Sequence, residues 1–425
     1  MKKVCIIGGG AAGLMAAYAS ARRGNEVTLI EKNEKLGKKI YITGKGRCNF
    51  TNDTVAEEFL QNVVRGSKFL TGSLYAFPPQ KVIEFFENQG LSVKTERGNR
   101  VFPASDHASD VTKTLEKACK EQGVKIRLNE EVQDIITSST PDISIMSDIT
   151  MRDVIDMPRI IAVKTDKAKY ECDVAIVATG GVSYSSTGST GDGYTFASRF
   201  GHEVVEVKCG LCGLNLEGDF YKVLQGLSLK NVVLSAKHGK KTLYKEMGEM
   251  LFTHFGISGP LVLSLSSLIN RLPLKEVELF LDLKPALDEQ VLDKRLLRDF
   301  EKYKNKRLEN ALVELLPSKL INAVLSACGV NGEKIVHSLT KEERLRLLKV
   351  LKAFPMRAYS LRGFNEAIIT SGGVSLKEIN PKTMESKRVQ GLKFCGEVLD
   401  IDAFTGGFNM QIAFSTGFAA GDSVK

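Results

Sequence analysis

The chain opens on four consecutive apolar residues, Val4 to Ile7, then three glycines, then the alanine-rich helix pattern "LMAAYASARRG". The first run reads as a buried strand and the second as a helix ended by Gly24; "EVTLIEK" returns to a strand that finishes at Glu31. Further on, strand-like "EEVQDII" and "RIIAVKT" lead to "ECDVAIVATGG" (171–181), a buried strand with a glycine turn, so a β meander crossing over the sheet is expected. The stretch from Thr137 to Pro158 exceeds what a hairpin needs and is expected to be a surface excursion.

From about residue 201 the pattern changes to short strands punctuated by glycine, as in a small barrel or sandwich. Between 286 and 353 it becomes helical: "EQVLDKRLLRDFEKY", "RLENALVELL", "KLINAVLSACG" and "KEERLRLLKVL" each carry an apolar stripe, which is the pattern of a packed core. The chain then returns through "AIITSGGVSL" to a buried strand, Leu392 to Cys395, and a helix beginning near Asn409. The expected layout is a first domain segment over 1–200, a β-barrel-like insert over 201–285 and 354–365, a helical subdomain over 286–353, and the second domain segment over 366–425.

A length of 425 residues favours two or more domains, and 43% hydrophobic with 26% charged residues is ordinary globular composition. No signal-peptide pattern or long uncharged apolar span is visible, so a cytoplasmic location without a membrane partner is expected. Eight scattered cysteines then read as reduced thiols. The net charge of +9 suits an anionic cofactor or substrate, or weak nucleic-acid contact. Its blocks, "KHGKK" (237–241) and "KYKNKR" (302–307), are short and read as solvated faces, which makes nucleic acid the less favoured partner.

The three leading glycines change the picture from architecture to chemistry. Gly8, Gly10 and Gly13 fit G-x-G-x-x-G between strand and helix: Gly8 for the tight turn, Gly10 for close approach of a pyrophosphate, Gly13 for packing of helix on strand, with Ala11 and Ala12 in the first turn. The helix N-terminus offers free N–H groups to the phosphates. Glu31, eighteen residues beyond Gly13 and followed by Lys32, takes the place of the acid that accepts from ribose hydroxyls, which disfavours a 2′-phosphate. The glycine-rich, basic stretch 32–52 that follows suits a second wrap around a large anionic cofactor.

"GKKIYITGKGRCNFTN" (37–52), "GNRVFPASDHASDV" (98–111), "ATGG" (178–181), "GSTGDGY" (188–194), "LFTHFGISGP" (251–260) and "GEVLDIDAFTGGFNMQIAFSTGFAAG" (396–421) together resemble the YhiN-like FAD flavoproteins, a group that includes aminoacetone oxidases and BaiN-type bile-acid reductases. The resemblance covers nearly the whole chain. It implies an α/β fold: a split, three-layer Rossmann-like FAD domain of the glutathione-reductase type, interrupted by a small β-barrel with helices. It also implies that FAD is held by the glycine turn with Glu31, by Lys39, Gly46, Arg47 and Asn49, by Val132, which offers backbone to the adenine, by Ala178, Thr179 and Gly180, and by Gly396, Glu397 and Asp400. Gly407, Asn409, Gln411 and Ile412 complete the set at the start of the last helix, whose first N–H groups would face the flavin. Asp400 could instead cap a turn, and Lys39 and Arg47 could be solvated surface.

Hydride chemistry at a flavin needs few protein groups. His254 is the acid/base candidate, or else a satisfied structural histidine. Cys48 is a thiol that could face the flavin, or a small buried residue without the second cysteine a disulfide-reducing enzyme would have. Cys209 and Cys212 form C-x-x-C but lack the second half of a zinc site, so a structural reading is preferred and no metal is expected. Phe102, Phe404 and Phe408 are candidates to line the substrate. No second G-x-G-x-x-G is visible, because "GSTGDG" follows a turn rather than a strand; NAD(P)H, as a transient electron donor, would bind without its own Rossmann domain. The resemblance implies reduction of an enone C=C bond of the 3-oxo steroid or bile-acid type as the expected reaction, with the substrate expected between the two domains. Amine oxidation by dioxygen, and a flavoprotein acting on or binding nucleic acid, are the alternatives. The last of these needs a contiguous basic face.

Overall fold

The computed structural model describes residues 1–138 and 157–425, so the excursion expected from Thr137 to Pro158 lies, apart from its ends, outside the described residues. The chain forms two compact units, Met1–Lys208 with Ile368–Lys425, and Cys209–Ala367.

The first unit is built on a five-stranded parallel sheet. Lys3–Ile7 lies at its centre, flanked by Val174–Val177 and Leu392–Phe394 on one side and by Glu26–Ile30 and Lys125–Arg127 on the other. Strands covered on both faces need no polar alternation, and Val4, Cys5, Ile6 and Ile7 are all buried, as are Val174 to Val177. The helix Ala11–Arg22 follows the glycine turn and packs directly on the C-terminal helix Phe408–Asp422. Their backbones touch through glycines: a Cβ on Gly417 would lie 2.4 Å from the Ala12 carbonyl oxygen, and one on Gly421 would lie 2.2 Å from that of Ala16. The meander is an antiparallel sheet of Val132–Thr137, Ile160–Thr165 and Lys169–Glu171. Val204–Gly210 pairs with Ile369–Val374, which carries this unit on to Lys208.

The second unit contains a closed antiparallel barrel of six strands, in the order Leu214–Leu216, Gly256–Ser258, Lys241–Thr253, Ser228–His238, Val277–Asp282 and Phe354–Leu361. Two of the strands are long, 11 and 13 residues, because Gly239 and Lys240 reverse the chain tightly and alternation persists on both sides. The helices Glu289–Lys302, Ser318–Cys328 and Lys341–Lys352 bury their apolar stripes in the same core. The last begins with a capping box between Thr340 and Glu343, worth about 1 kcal/mol. The helix expected over "RLENALVELL" shrinks to Leu308–Ala311; Leu312, Leu315 and Leu316 are still buried but in turns, since Pro317 keeps the preceding residue out of the helical region. Among the described residues no helix is long and apolar enough to cross a membrane.

Candidate functional site

The three glycines of the first turn meet three different surroundings. Gly8 has φ +104°, and a Cβ there would lie 2.6 Å from the Ala178 carbonyl oxygen; one on Gly13 would lie 1.9 Å from that of Gly8. Both positions are closed by packing. A Cβ on Gly10 would meet nothing within 4 Å, so this glycine borders open space at the start of the helix. That helix has no side-chain cap and no acid in its first turn, which leaves its terminal N–H groups and their partial positive charge available to an anion.

Glu31 is buried beneath the turn. Its carboxylate accepts from Gly9 N at 2.7 Å and from Asn33 N and Nδ2 at 2.8 and 2.6 Å. Lys32 pairs with Asp192 at 2.6 Å and donates to Thr190. Ala178 is tied to Ile7 O through its N–H at 2.9 Å, and Gly180 takes φ +73° beside Ser189. Val132 is half-buried at the first position of its strand, paired with Thr165.

The C-terminal ends of Val174–Val177 and Leu392–Phe394 bring a polar cluster together from four segments. Lys39 Nζ donates to Glu397 Oε2 and Ser183 Oγ, both at 2.6 Å. Glu397 Oε1 accepts from Ser183 Oγ at 3.0 Å and Thr370 N at 2.7 Å, while Thr370 Oγ1 accepts from the Val182 and Ser183 N–H groups. Asp400 follows, its N–H donating to Val374 O at 3.1 Å. The buried Tyr194 hydroxyl has no partner among the described residues, and burial, then the charges of Glu397 and Asp400, push its ionisation upward. Ser183, Thr370 and Tyr194 escape a reading of the sequence. Tyr194 lies within "GSTGDGY", but nothing local marks it as facing two carboxylates.

Near the last helix, Gly407 has φ +95° and a Cβ there would lie 2.3 Å from Thr51 O and 2.9 Å from Asn49 Oδ1. Asn49 Oδ1 is buried without a partner among the described residues, as is Thr179 Oγ1. Asn409 holds the preceding loop through Ala403 N, Ala403 O and Phe404 O. Gln411 is fully buried, its side chain bonds Thr51, Ser415 and the Phe77 carbonyl, and its N–H donates to Gly407 O at 3.0 Å. Ile412 is buried, and Gly396 packs on Ala12, where a Cβ would lie 2.7 Å from that of the alanine.

Arg47 is held elsewhere. It bonds Asp106 at 2.7 Å and Glu96, and its guanidinium lies 4.4 Å from the centre of the buried Phe102 ring. The Arg47 bond holds the Glu96 carboxyl below its usual range, and Lys94 followed by Arg47 does the same for Asp106. Its neighbour in the chain, Gly46, has φ +86°. Phe408 is buried edge-on to Phe59, whereas Phe404 is half-buried. Cys48 is wholly buried and burial pushes its thiol up to about 12, so the nucleophilic thiolate is scarce near neutrality.

In the second unit, His254 sits exposed at the turn between Lys241–Thr253 and Gly256–Ser258, edge-on to Phe255. Arg362 lies over the Phe255 ring at 4.3 Å, pairs with Glu366 and reaches Asn215 Oδ1 at 3.4 Å. The Glu366 carboxyl is held low by Arg362 first and, more weakly, by the charge of His254. A cavity of about 350 Å³ is lined by Arg362, Gly363, Phe364, Asn365 and Glu366. No spacing in the sequence marks that segment. Neither Cys209 nor Cys212 is in a disulfide among the described residues, and burial pushes the Cys212 thiol up to about 12.

A split parallel sheet with a glycine turn, an acid closing it and an inserted barrel defines a FAD-dependent oxidoreductase. The chain belongs to the family described as HI0933-like protein Rossmann domain, whose profile matches residues 2–423. It is 30% identical over 425 residues to the 3-dehydro-bile acid delta(4,6)-reductase of Clostridium scindens, covering 99% of this chain and 98% of that protein. It is 32% identical over 424 residues to the ribosomal RNA dihydrouridine synthase of Haemophilus influenzae, with coverage of 99% and 98%. In fold it resembles the 3-ketosteroid delta1-dehydrogenase of Sterolibacterium denitrificans, with a TM-score of 0.53 at 13% identity, covering 99% of this chain and 98% of that one. The residues fit the cofactor: open space at Gly10, an uncapped helix start, and buried polar atoms of Asn49, Thr179 and Tyr194 without protein partners among the described residues.

Proposed function

We propose that this protein reduces a carbon–carbon double bond conjugated to a carbonyl group, with NAD(P)H as the electron source. The observation that carries this reading is end-to-end similarity to two enzymes whose names describe the same bond change. A 3-oxo-Δ4 steroid and the uracil ring both present C=C next to C=O, and each gains one hydride and one proton. Bound FAD supplies the hydride.

The chain's own groups have separable tasks. The start of the first helix and Gly10 would take the pyrophosphate, and Glu31 the adenosine ribose. Lys39, Glu397, Asp400, Thr179 and Tyr194 would orient the ribityl and ring end. Arg362, fixed by Glu366 and stacked on Phe255, is suited to hold negative charge growing on a substrate carbonyl oxygen. His254 is the proposed proton donor to the carbon next to that carbonyl.

Between the two substrate classes, charge favours uracil within RNA. Residues 209–367 contain 25 Lys and Arg against 18 Asp and Glu, a net of +7 out of the chain's +9. A bile acid carries a single carboxylate and gives little reason for an excess of that size, whereas a polyanion does. The test is anaerobic incubation of the yellow protein and NADPH or NADH with unmodified ribosomal RNA and, separately, with a 3-oxo-Δ4 steroid. Nucleoside mass spectrometry showing uridine gaining two hydrogens supports the RNA reading. Steroid reduction with untouched RNA overturns it, and no oxidation of the nicotinamide with either substrate overturns the reaction class.

A further inference from the structure

We propose that the long barrel hairpin, Ser228–His238 with Lys241–Thr253, is the surface on which this protein grips the phosphate backbone of RNA. The inference rests on the reading of RNA-bound uracil as substrate and says where the polymer is held.

Residues 228–245 contain five lysines, Lys230, Lys237, Lys240, Lys241 and Lys245, and no aspartate or glutamate. All five are exposed. Register fixes their placement: Lys237 opposes Thr242 and Lys245 opposes Ser235, so these two lysines stand on the outward face, with Cα atoms about 7 Å apart along the diagonal, while Lys240 and Lys241 form the tip. Lys237 Nζ lies 5.5 Å from the centre of the Phe280 ring, a half-buried side chain of the neighbouring strand. Among the described residues none of the five makes an ion pair, although Glu278 opposes Lys237 across the next strand pair and Glu246 and Glu249 share the hairpin.

The helices of the same unit behave differently. Arg295 and Arg298 share Asp299, Lys302 pairs with Glu314, Lys334 with Glu343, Arg344 with Asp293 and Lys352 with Asp282. The helical block, residues 286–353, carries 14 Lys and Arg against 10 Asp and Glu, while the hairpin, residues 228–253, carries five lysines against two glutamates, so the hairpin holds +3 of the unit's +7 in a much shorter stretch. Ammonium groups on an extended, twisted ribbon need only a regular row of anions as partner, which a nucleic-acid backbone supplies without base contacts. A lipid surface would also want apolar anchors, and Met247 is the one large apolar side chain strongly exposed on this hairpin.

The test uses the FAD-loaded full chain and a variant with Lys237→Gln, Lys240→Gln and Lys241→Gln, all solvent-facing and outside the cavity beside Arg362. A second variant, Lys113→Gln with Lys117→Gln and Lys120→Gln, removes the same charge from an exposed helix in the first unit. Binding of a fluorescein-labelled, unmodified ribosomal RNA transcript is followed by anisotropy across a potassium chloride series. The hairpin variant should lose at least tenfold in affinity at low salt, and its slope of log affinity against log salt should flatten by about two to three. The helix variant should match the wild type, and turnover of free uridine should stay within about twofold in all three proteins.

An unchanged slope in the hairpin variant overturns the proposal, as does tighter binding of the wild type to phosphatidylglycerol vesicles than to RNA. The two readings separate cleanly. Hairpin-dependent binding without dihydrouridine formation removes the substrate reading and keeps the surface. Dihydrouridine formation with unchanged KM in the hairpin variant keeps the substrate reading and removes the surface.

Discussion

Lys393 carries an ammonium group into the interior of the first unit, on the strand that delivers Gly396, Glu397 and Asp400 to the cofactor site. Its Nζ donates to Ala420 O at 3.1 Å and Ser423 Oγ at 2.7 Å, at the end of the C-terminal helix, yet burial pulls its pKa from 10.5 down to about 8. The charges of Glu385 and Cys395 oppose that shift only in part. A depression of this size corresponds to about 3 kcal/mol. Between pH 8 and 10.5 the unfolded chain binds the proton that the folded chain has released, so stability rises with pH across that window; below pH 8 the folded state bears the whole cost.

Lys393→Met keeps the length of the side chain and removes the charge, at the loss of two hydrogen bonds worth about 1 kcal/mol each. Urea unfolding of both proteins, followed by circular dichroism from pH 7 to 10.5, isolates this one group, because every other titration cancels in the difference. The variant's advantage over the wild type should shrink by about 3 kcal/mol as pH rises from 8 to 10.5. A difference that stays flat, or grows, refutes the reasoning.

Other changes probe the cofactor side. Gly10→Ala should leave the melting temperature of the flavin-free protein within about 2 °C while weakening FAD binding at least tenfold, whereas Gly13→Ala should cost several kcal/mol in both states, because its Cβ would overlap the Gly8 carbonyl; paired melting and flavin-titration curves distinguish them. Tyr194→Phe should raise the stability of the flavin-free protein by about 1 kcal/mol, since it removes a buried hydroxyl without a described partner, and weaken FAD binding in the same protein. Glu397→Gln should destabilise the Lys39 cluster by about 1 to 3 kcal/mol and lower flavin affinity, read by equilibrium dialysis. Cys48→Ala should keep turnover within about twofold, with an unchanged pH profile, because a thiol pushed up to about 12 has no role as a thiolate at neutral pH.

The strand, turn and helix at the start were legible because their signals are local: an apolar run, glycines at fixed offsets, an acid at the end of the next strand. The insert's helical stripes were legible for the same reason, except where Pro317 turned an apolar stripe into buried turns. Contacts made across hundreds of residues left no such mark. Lys39, Ser183, Thr370 and Glu397 meet only when four segments converge, and nothing in the sequence singles out Lys393 within the strand read as buried. The basic stretch "KHGKK" was visible, but which of its residues meets an acid, His238 with Glu276 while Lys237, Lys240 and Lys241 make no ion pair among the described residues, depends on register in a barrel that closes through strands more than a hundred residues apart.

The seam between the first helix and the last places an order on biosynthesis. The loop meant for the dinucleotide is made about four hundred residues before the buttress behind it, Gly417 and Gly421 against Ala12 and Ala16. A nascent polypeptide therefore waits with its nucleotide cradle unsupported while the whole barrel emerges, and trimming the final helix should leave material that matures without colour.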